Sequence, residues 1–387
     1  MPDARPPVPL AEPVLDGNAA KYVNECLQTN YVSSIGPFVE RFEREFASFV
    51  GSRFAIACAS GTAALHVAMR LLGVSDGDEV FVPTLTFIAS ANPVLYERGT
   101  PVLVDSESSS WNLDPGLVVE EIERRARIGG RLPRVVEVVH LLGRPANIEP
   151  IVDVCERHGI AIVEDAAEAL GAKYCGGRFA GRQVGTIGRL GCFSFNGNKV
   201  ITTGGGGMLT TDDEALARRA KHLTTQARLP CQEYRHDEMG FNYRLTNVAA
   251  ALGVAQLESL PRFLARKRAI ADVYDATLTG SAVFERAPRP VWGECSHWLY
   301  SMSVRSGGRE HRNDVISRLK AARCEARPVW TPLHLQLPLQ DARRLGDMSK
   351  AESIFDSALS LPSSVGMTSE QQQSVLGVLN AISRLPP

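Results

Sequence analysis

The sequence predicts an α/β protein with a large domain on a mixed, mainly parallel sheet, followed by a smaller C-terminal α+β domain. Three observations predict it. Short apolar runs alternate with longer helical patterns from about residue 50 to 260, the rhythm of strand–helix units around a parallel sheet. Those runs are apolar almost throughout rather than at every second position, as strands covered on both faces are. Beyond residue 240 the texture changes to one long helical pattern and then to mixed short elements.

In chain order, residues 54–59 read as a strand and 62–72 as a helix. Residues 80–83 are strand-like, 88–97 helical, 101–104 a strand and 115–127 a charged helix. The pattern continues with a strand at 135–142, a helix at 148–158 and strands at 161–164, 189–195 and 208–211, before a helix at 214–223. Residues 225–240 (TQARLPCQEYRHDEMG) are polar and irregular, a loop long enough to be of the functional kind. A helical stretch at 245–280 ends on Thr279 and Gly280. A strand at 297–304 and helices at 309–322 and 369–383 complete the chain. The domain boundary is placed between 260 and 261, giving a large domain at 1–260 and a small one at 261–387.

The 387 residues are 44% hydrophobic and 22% charged, with 42 basic and 43 acidic side chains and a net charge of −1. That length allows about two or three domains. Balanced charge gives no global reason to expect nucleic acid or a membrane surface as partner. The start, MPDARPPVPLAEPVLDG, lacks the basic and apolar regions of a secretory signal, and no run approaches about 18 apolar residues. The eight cysteines are scattered, with no Cys-x-x-Cys pair and no metal-like spacing. A cytoplasmic protein with reduced thiols and no metal site is expected.

The segment FSFNGNKVITTGGGG (193–207) ends a strand on Lys199 and then spends four consecutive glycines. A lysine amine suits reversible imine formation with an aldehyde such as that of pyridoxal phosphate, although most lysines are simply solvated. Ser194 lies five residues before it, within reach of a phosphate. Ser60, Gly61 and Thr62 stand between a strand and a helix, where free N–H groups form an anion site or a plain N-cap. Asp165 ends an apolar run and follows Glu164. At the carboxyl end of a strand it can hold a pyridine nitrogen protonated, or serve a metal or a helix cap. Phe87, beyond another strand, can stack on a flat ring or pack in the core. The joint order of these features along one α/β domain is more specific than any one of them.

The segments ASGTAALH (59–66), VPTLTFIASANPV (82–94), IVEDAAEALGAKY (162–174), FSFNGNKVITTGGGGMLTTDD (193–213) and GFNYRLTNVAAALGVAQLE (240–258) resemble the DegT/DnrJ/EryC1/StrS family. Its members are fold-type I pyridoxal-phosphate aminotransferases of nucleotide-linked keto sugars. The resemblance spans essentially the whole chain. It implies that Lys199 carries the cofactor as an imine and then shuttles protons, that Asp165 pairs with the pyridinium, and that Phe87 stacks on the ring. Gly61, Thr62 and Ser194, next to Ser60, would hold the phosphate, and Glu168 would lie near the cofactor. It further implies a homodimer with shared sites, in which Asn242 and Arg244 of a neighbouring subunit reach the phosphate.

Most of the family reads TTGEGG after the lysine, whereas this chain reads TTGGGG, with Gly205 at the acidic position. That variant, with NYVSSIGPFVERFE (30–43) and ARPVWTPLH (326–334), resembles the legionaminic-acid and bacillosamine-type branch. The branch implies amino transfer from L-glutamate to C4 of a UDP-linked 4-keto-6-deoxy-N-acetylhexosamine, in surface polysaccharide or glycan biosynthesis. The GDP-perosamine synthases are similar and form the alternative. Ser33, Ser34, Arg327 and His334 are candidate contacts for the sugar nucleotide, and His297 a further one. Two other readings are set aside on residues. Sugar 3-dehydratases of this fold carry histidine where this chain has Lys199, and a non-enzymatic cofactor-binding regulator predicts a degraded catalytic set.

Overall fold

The computed structural model describes residues 6–384. Two helices, α1 (Ala19–Gln28) and α2 (Pro37–Val50), precede β1 (Phe54–Cys58). Next come α3 (Gly61–Leu71), β2 (Glu79–Pro83), α4 (Asn92–Tyr96), β3 (Thr100–Val104), α5 (Pro115–Arg127), β4 (Val135–Val139) and α6 (Glu149–His158). They lead to β5 (Ala161–Asp165), β6 (Lys173–Tyr174), β7 (Leu190–Ser194), β8 (Gly207–Thr211) and α7 (Glu214–Thr224). The chain continues through α8 (Asn247–Leu278), β9 (Phe284–Arg286), β10 (Gly293–Glu294), β11 (Tyr300–Val304), α9 (Gly308–Ala321) and β12 (Arg327–Pro328). It closes with β13 (Arg343–Leu345), α10 (Ser349–Ser357), β14 (Ala358–Leu361) and α11 (Ser369–Ser383).

Eight strands form one sheet in the order β1-β8-β7-β5-β4-β2-β3-β13. From β7 to β13 neighbouring strands are parallel, and β8 runs antiparallel to both β7 and β1. The mixed, mainly parallel sheet is therefore present. All five residues of β4 and of β8 are buried, which is why their runs carry no polar alternation. A second, antiparallel sheet has the order β12-β14-β11-β9 and shares a core with α8, α9 and α11. The division expected between residues 260 and 261 falls inside α8, a helix of 32 residues with Pro261 within it. β13 returns from the C-terminal part to the edge of the large sheet beside β3.

Among the elements read from the sequence, three differ from that reading by more than two residues; α1, α2, α10 and β14 were not read at all. Residues 88–97 form a 3-10 turn (Ile88–Ser90) and then α4, because Pro93 fits only the first turn of a new helix. β4 stops at Val139, where the chain turns through Leu142 at φ 54°. β11 begins at Tyr300 rather than 297. His297 has φ 53°, and the preceding Ser296 is tied by its N–H to the Gly143 carbonyl at 2.9 Å.

Alternation within β7 explains the Phe-Ser-Phe motif. Phe193 and Phe195 are 1% and 0% exposed and meet Phe42 and Phe46 of α2 at centroid distances of 5.0–5.4 Å. Ser194 between them points to the opposite face, where it meets the start of α3. Aromatic packing on one face thus anchors the strand that leads to Lys199.

Glu137, mid-strand in β4, is fully buried and neither carboxylate oxygen has a partner among the described residues. Burial, and after it the charge of Asp165, pushes its carboxyl well above the ordinary range. Replacing such an orphan group by an apolar one of similar shape removes its desolvation cost, about 1–3 kcal/mol. Glu137→Leu is expected to raise the thermal midpoint at neutral pH, while Glu137→Gln, which keeps the orphan atoms, gives no comparable gain.

Candidate active site

In the large sheet β1, β2, β4, β5 and β7 end at one edge, where α/β folds bind ligands. A cavity of about 230 Å³ opens there. Of the residues singled out from sequence, Ser60, Gly61, Thr62, Phe87, Asp165, Glu168, Ser194 and Lys199 all line it. They come from four separate stretches of chain.

α3 starts at the cavity wall. Ser60 is its N-cap, accepting from the Ala63 N–H at 3.0 Å, so the plain capping role holds for that hydroxyl. The N–H groups of Gly61 and Thr62 belong to the first helical turn, which has no acceptor within the helix. This makes the turn a ready anion site. A Cβ on Gly61 would fall 2.8 Å from that of Ser194. The four glycines after Lys199 divide by need. Gly204 has φ 78°, a Cβ on Gly207 would lie 2.4 Å from the Ser60 carbonyl, and a Cβ on Gly205 would meet nothing within 4 Å.

The two adjacent acids of β5 point to opposite faces. Glu164 is fully buried away from the cavity. It accepts from the N–H groups of Gly185, Ile187 and Gly188 at 2.6–2.8 Å and meets His140 Nε2 at 2.9 Å. Burial alone would raise its carboxyl, but the His140 bond and these N–H bonds hold it below the ordinary range. His140 Nδ1 accepts from the Ala146 N–H at 3.1 Å. Asp165 faces the cavity at 5% exposure. Its Oδ2 accepts from Ser90 Oγ at 2.8 Å and its Oδ1 from the Ala167 N–H at 3.0 Å. Burial raises its proton affinity, and the two bonds and the Lys199 charge only partly oppose that.

Lys199 Nζ lies 3.9 Å from Glu168 Oε1 and 3.8 Å from the centroid of the Trp298 ring. Burial pushes the amine below its ordinary value against the pull of Glu168 and Asp165, which favours the nucleophilic neutral form. Burial likewise raises Glu168. Its two oxygens accept from the Leu142 N–H at 2.7 Å and the Trp330 indole N–H at 3.0 Å. Trp330 stacks on Trp298 at 6.4 Å and meets Phe87 at 5.0 Å. Phe87 is 49% exposed, so core packing is not its role.

The remaining candidates lie outside this cavity. Asn242 is exposed, and Arg244 is half-buried with its Nε lacking a hydrogen-bond partner among the described residues. Arg244 bridges to Cys58 at the end of β1. Ser33 is exposed and Ser34 half-buried, on a segment tied to the start of α8 through the Asn247 side chain. Arg327 is exposed and pairs with Glu325 at 2.6 Å. His334 is 2% exposed and locked between Thr84 Oγ1 at 2.7 Å and Glu352 Oε1 at 3.0 Å. His297 lines a different, smaller cavity.

Sequence reasoning missed Ser90, Asn196, Asn198, Trp298 and Trp330, all of which line the cavity. Ser90 was hidden inside a helical pattern. Trp330 stands between Arg327 and His334, and weighting those two for their charge passed over it. Rarity was a usable signal, since the chain has four tryptophans. Trp298 is pinned at both ends. Its indole N–H donates to the Asn198 carbonyl at 2.6 Å, and its own carbonyl accepts from Lys267 Nζ at 2.8 Å.

Comparison with known proteins gives the same picture over the whole chain. The model of the DegT/DnrJ/EryC1/StrS aminotransferase family matches residues 13–380. The protein EpsN of Bacillus subtilis (strain 168) is 41% identical over 374 residues, covering 96% of this chain and 94% of its own. The GDP-perosamine synthase of Caulobacter vibrioides is 39% identical, with 97% of this chain and 98% of its own covered. Among solved structures, Spr1654 of Streptococcus pneumoniae in its PLP form superposes with a TM-score of 0.89 at 25% identity. That match covers 98% of this chain and 99% of Spr1654.

Lys267, 4% exposed, also donates to the Ser363 carbonyl at 2.6 Å, and burial pushes its amine down to about 7. The unfolded chain titrates near 10.4 and so binds the extra proton between these values. From this group stability rises as pH climbs through that window and is flat below it. The stability difference between wild type and Lys267→Met should therefore move in favour of wild type from pH 7 to 9.5, read as urea midpoints. A constant difference would refute that.

Proposed function

Because the chain belongs to the DegT/DnrJ/EryC1/StrS aminotransferase family, we propose that it moves the amino group of L-glutamate to C4 of a nucleotide-linked 4-keto-6-deoxy sugar. It is a pyridoxal phosphate-dependent sugar aminotransferase. The observation that carries the aminotransferase chemistry is the enclosure of Lys199, Asp165 and Glu168 in one cavity with the N-terminus of α3.

The residues present fit the cofactor. The close approach of Gly61 to Ser194 leaves a cradle of N–H groups for a phosphate, a buried carboxylate stands inside the cavity, and a half-buried amine with a lowered proton affinity stands near it. When bound, pyridoxal phosphate supplies the carbonyl that relays the amino group and a ring that withdraws electrons. Gly61, Thr62 and Ser194 would hold its phosphate, Asp165 a proton on its ring nitrogen, and Phe87 its face. Lys199, whose proton affinity burial lowers, takes a proton from the donor carbon and returns one. Glu168 fixes the position of that amine, and Trp330 fixes Glu168. The segment of Asn242 and Arg244 is proposed to complete the phosphate site of a second copy in a homodimer. His334, bonded at both nitrogens, is proposed to hold the Trp330 segment. Ser33, Ser34 and Arg327 are proposed contacts for the nucleotide.

Two acceptors are supported by different observations. Gly205 and its flanking segments favour a UDP-linked 4-keto-6-deoxy-N-acetylhexosamine. The GDP-perosamine synthase relative, 39% identical, favours GDP-linked 4-keto-6-deoxymannose. A screen of both acceptors with L-glutamate, read as 2-oxoglutarate formed, decides between them. Conversion of neither acceptor would end the C4 reading.

Lys199→Ala should lose the yellow absorbance of bound cofactor and all transamination. Full activity in that variant would sink the assignment. Lys199→Ala co-assembled with Arg244→Ala should regain activity that neither variant has alone, because a hybrid dimer keeps one intact site. No regain would remove the shared-site proposal and leave the Lys199 role standing.

A further inference from the structure

Trp298 is 1% exposed, and the face of its ring lies over Lys199 Nζ at 3.8 Å from the centroid. Its orientation is fixed from several sides. The indole N–H donates to the Asn198 carbonyl at 2.6 Å, and the Trp298 carbonyl accepts from the buried Lys267. The ring also stacks on Trp330, whose own indole N–H donates to Glu168. Asn198 immediately precedes Lys199, so the ring is tied to the backbone that carries the amine. What the amine meets is therefore the π face and not the N–H group.

Amino transfer needs Lys199 in two charge states. The neutral amine takes a proton from the donor carbon onto its lone pair, and the ammonium so formed gives a proton back. Burial favours the first state and penalises the second. Glu168 is an incomplete counter-charge. Its Oε1 is 3.9 Å away and already engaged by Trp330, and burial draws the carboxyl towards the neutral acid. The negative face of an indole attracts a cation, most strongly where water is excluded. Having no net charge, it does so without the desolvation cost of a buried anion.

Taking Lys199 as the proton carrier described above, we propose that Trp298 takes part in the transfer: its ring face holds the Lys199 ammonium between proton uptake and proton return. Packing alone asks only for a large apolar ring, and leaves the amine indifferent to the electrons of that ring. A cation held on the face depends on them. The bond to Asn198 keeps the face beside the amine in both charge states, since ring and lysine turn are joined.

The test uses the holoenzyme loaded with pyridoxamine phosphate, which leaves Lys199 free. Monofluoro- and tetrafluorotryptophan are placed at position 298 by nonsense suppression. Fluorine drains the ring face of negative charge at nearly constant shape. Trace acetylation of Lys199 is read on its peptide by mass spectrometry as a function of pH. The half-labelling pH should fall with fluorination, by about one unit from tryptophan to the tetrafluoro ring. Single turnovers of the pyridoxal form with 2-deuterated L-glutamate, run above the wild-type half-labelling pH, should slow in the same order. A less basic amine takes up the proton more slowly. A half-labelling pH unchanged across the series overturns the proposal, and so does a lowered one with unchanged single-turnover rates. Failure of the Lys199 role itself shows separately, as full activity in Lys199→Ala.

Discussion

No side chain fits at Gly207, and the site depends on that. Gly207 pairs with Cys58 of β1 and with Ser194 of β7, and its missing Cβ leaves room for the Ser60 carbonyl. The first turn of α3 can then sit directly on the sheet edge. Gly61 completes the approach by lying against Ser194. A phosphate-sized anion site and the lysine loop become neighbours because two backbones come closer than any larger residue allows. Antiparallel β8, inserted between two strands that run the other way, is the topological device that creates the meeting point.

Electrostatics follow from the same enclosure. Asp165, Glu168 and Lys199 share one cavity and are each largely buried, so each is drawn towards its neutral form by burial. Hydrogen bonds then hold each acid in place. Ser90 and Ala167 fix Asp165, and Leu142 and Trp330 fix Glu168. Glu164, one residue from Asp165 but across the sheet, is bonded by His140 and three N–H groups and stays below the ordinary carboxylate range. Two adjacent carboxylates thus receive opposite treatment from one strand.

Much of this was legible in the linear chain. Strand–helix rhythm marked the parallel sheet, because period and apolarity are local properties. Asp165 and the Ser60–Thr62 turn were legible because each sits at or just past a strand end, where position in the pattern already says which edge it occupies. Lys199 was legible from its motif, but β7 stops at Ser194 and the lysine stands five residues on, in a turn, not on the strand end the sequence reading gave it. The aromatic wall of Trp298 and Trp330 was not. Both approach Lys199 from the C-terminal part of the chain, and nothing local distinguishes a tryptophan over an active site from one in a core. Charge did not mark the cavity lining in the same segment. Arg327 points to solvent and His334 is buried and bonded on both sides, while the apolar Trp330 between them reaches the cavity.

The sequence by itself determined the fold class, the reactive lysine, its acidic partner and the family, since these rest on periodicity and on motifs contiguous in the chain. Only the tertiary structure decided which of Glu164 and Asp165 faces the cavity, and which glycines are sterically required. It alone placed Trp298 over Lys199 and buried Glu137 with no hydrogen-bond partner among the described residues. Those outcomes depend on which residues meet across elements far apart in sequence. That is settled by packing and by the dielectric it creates, and neither is written in any one segment.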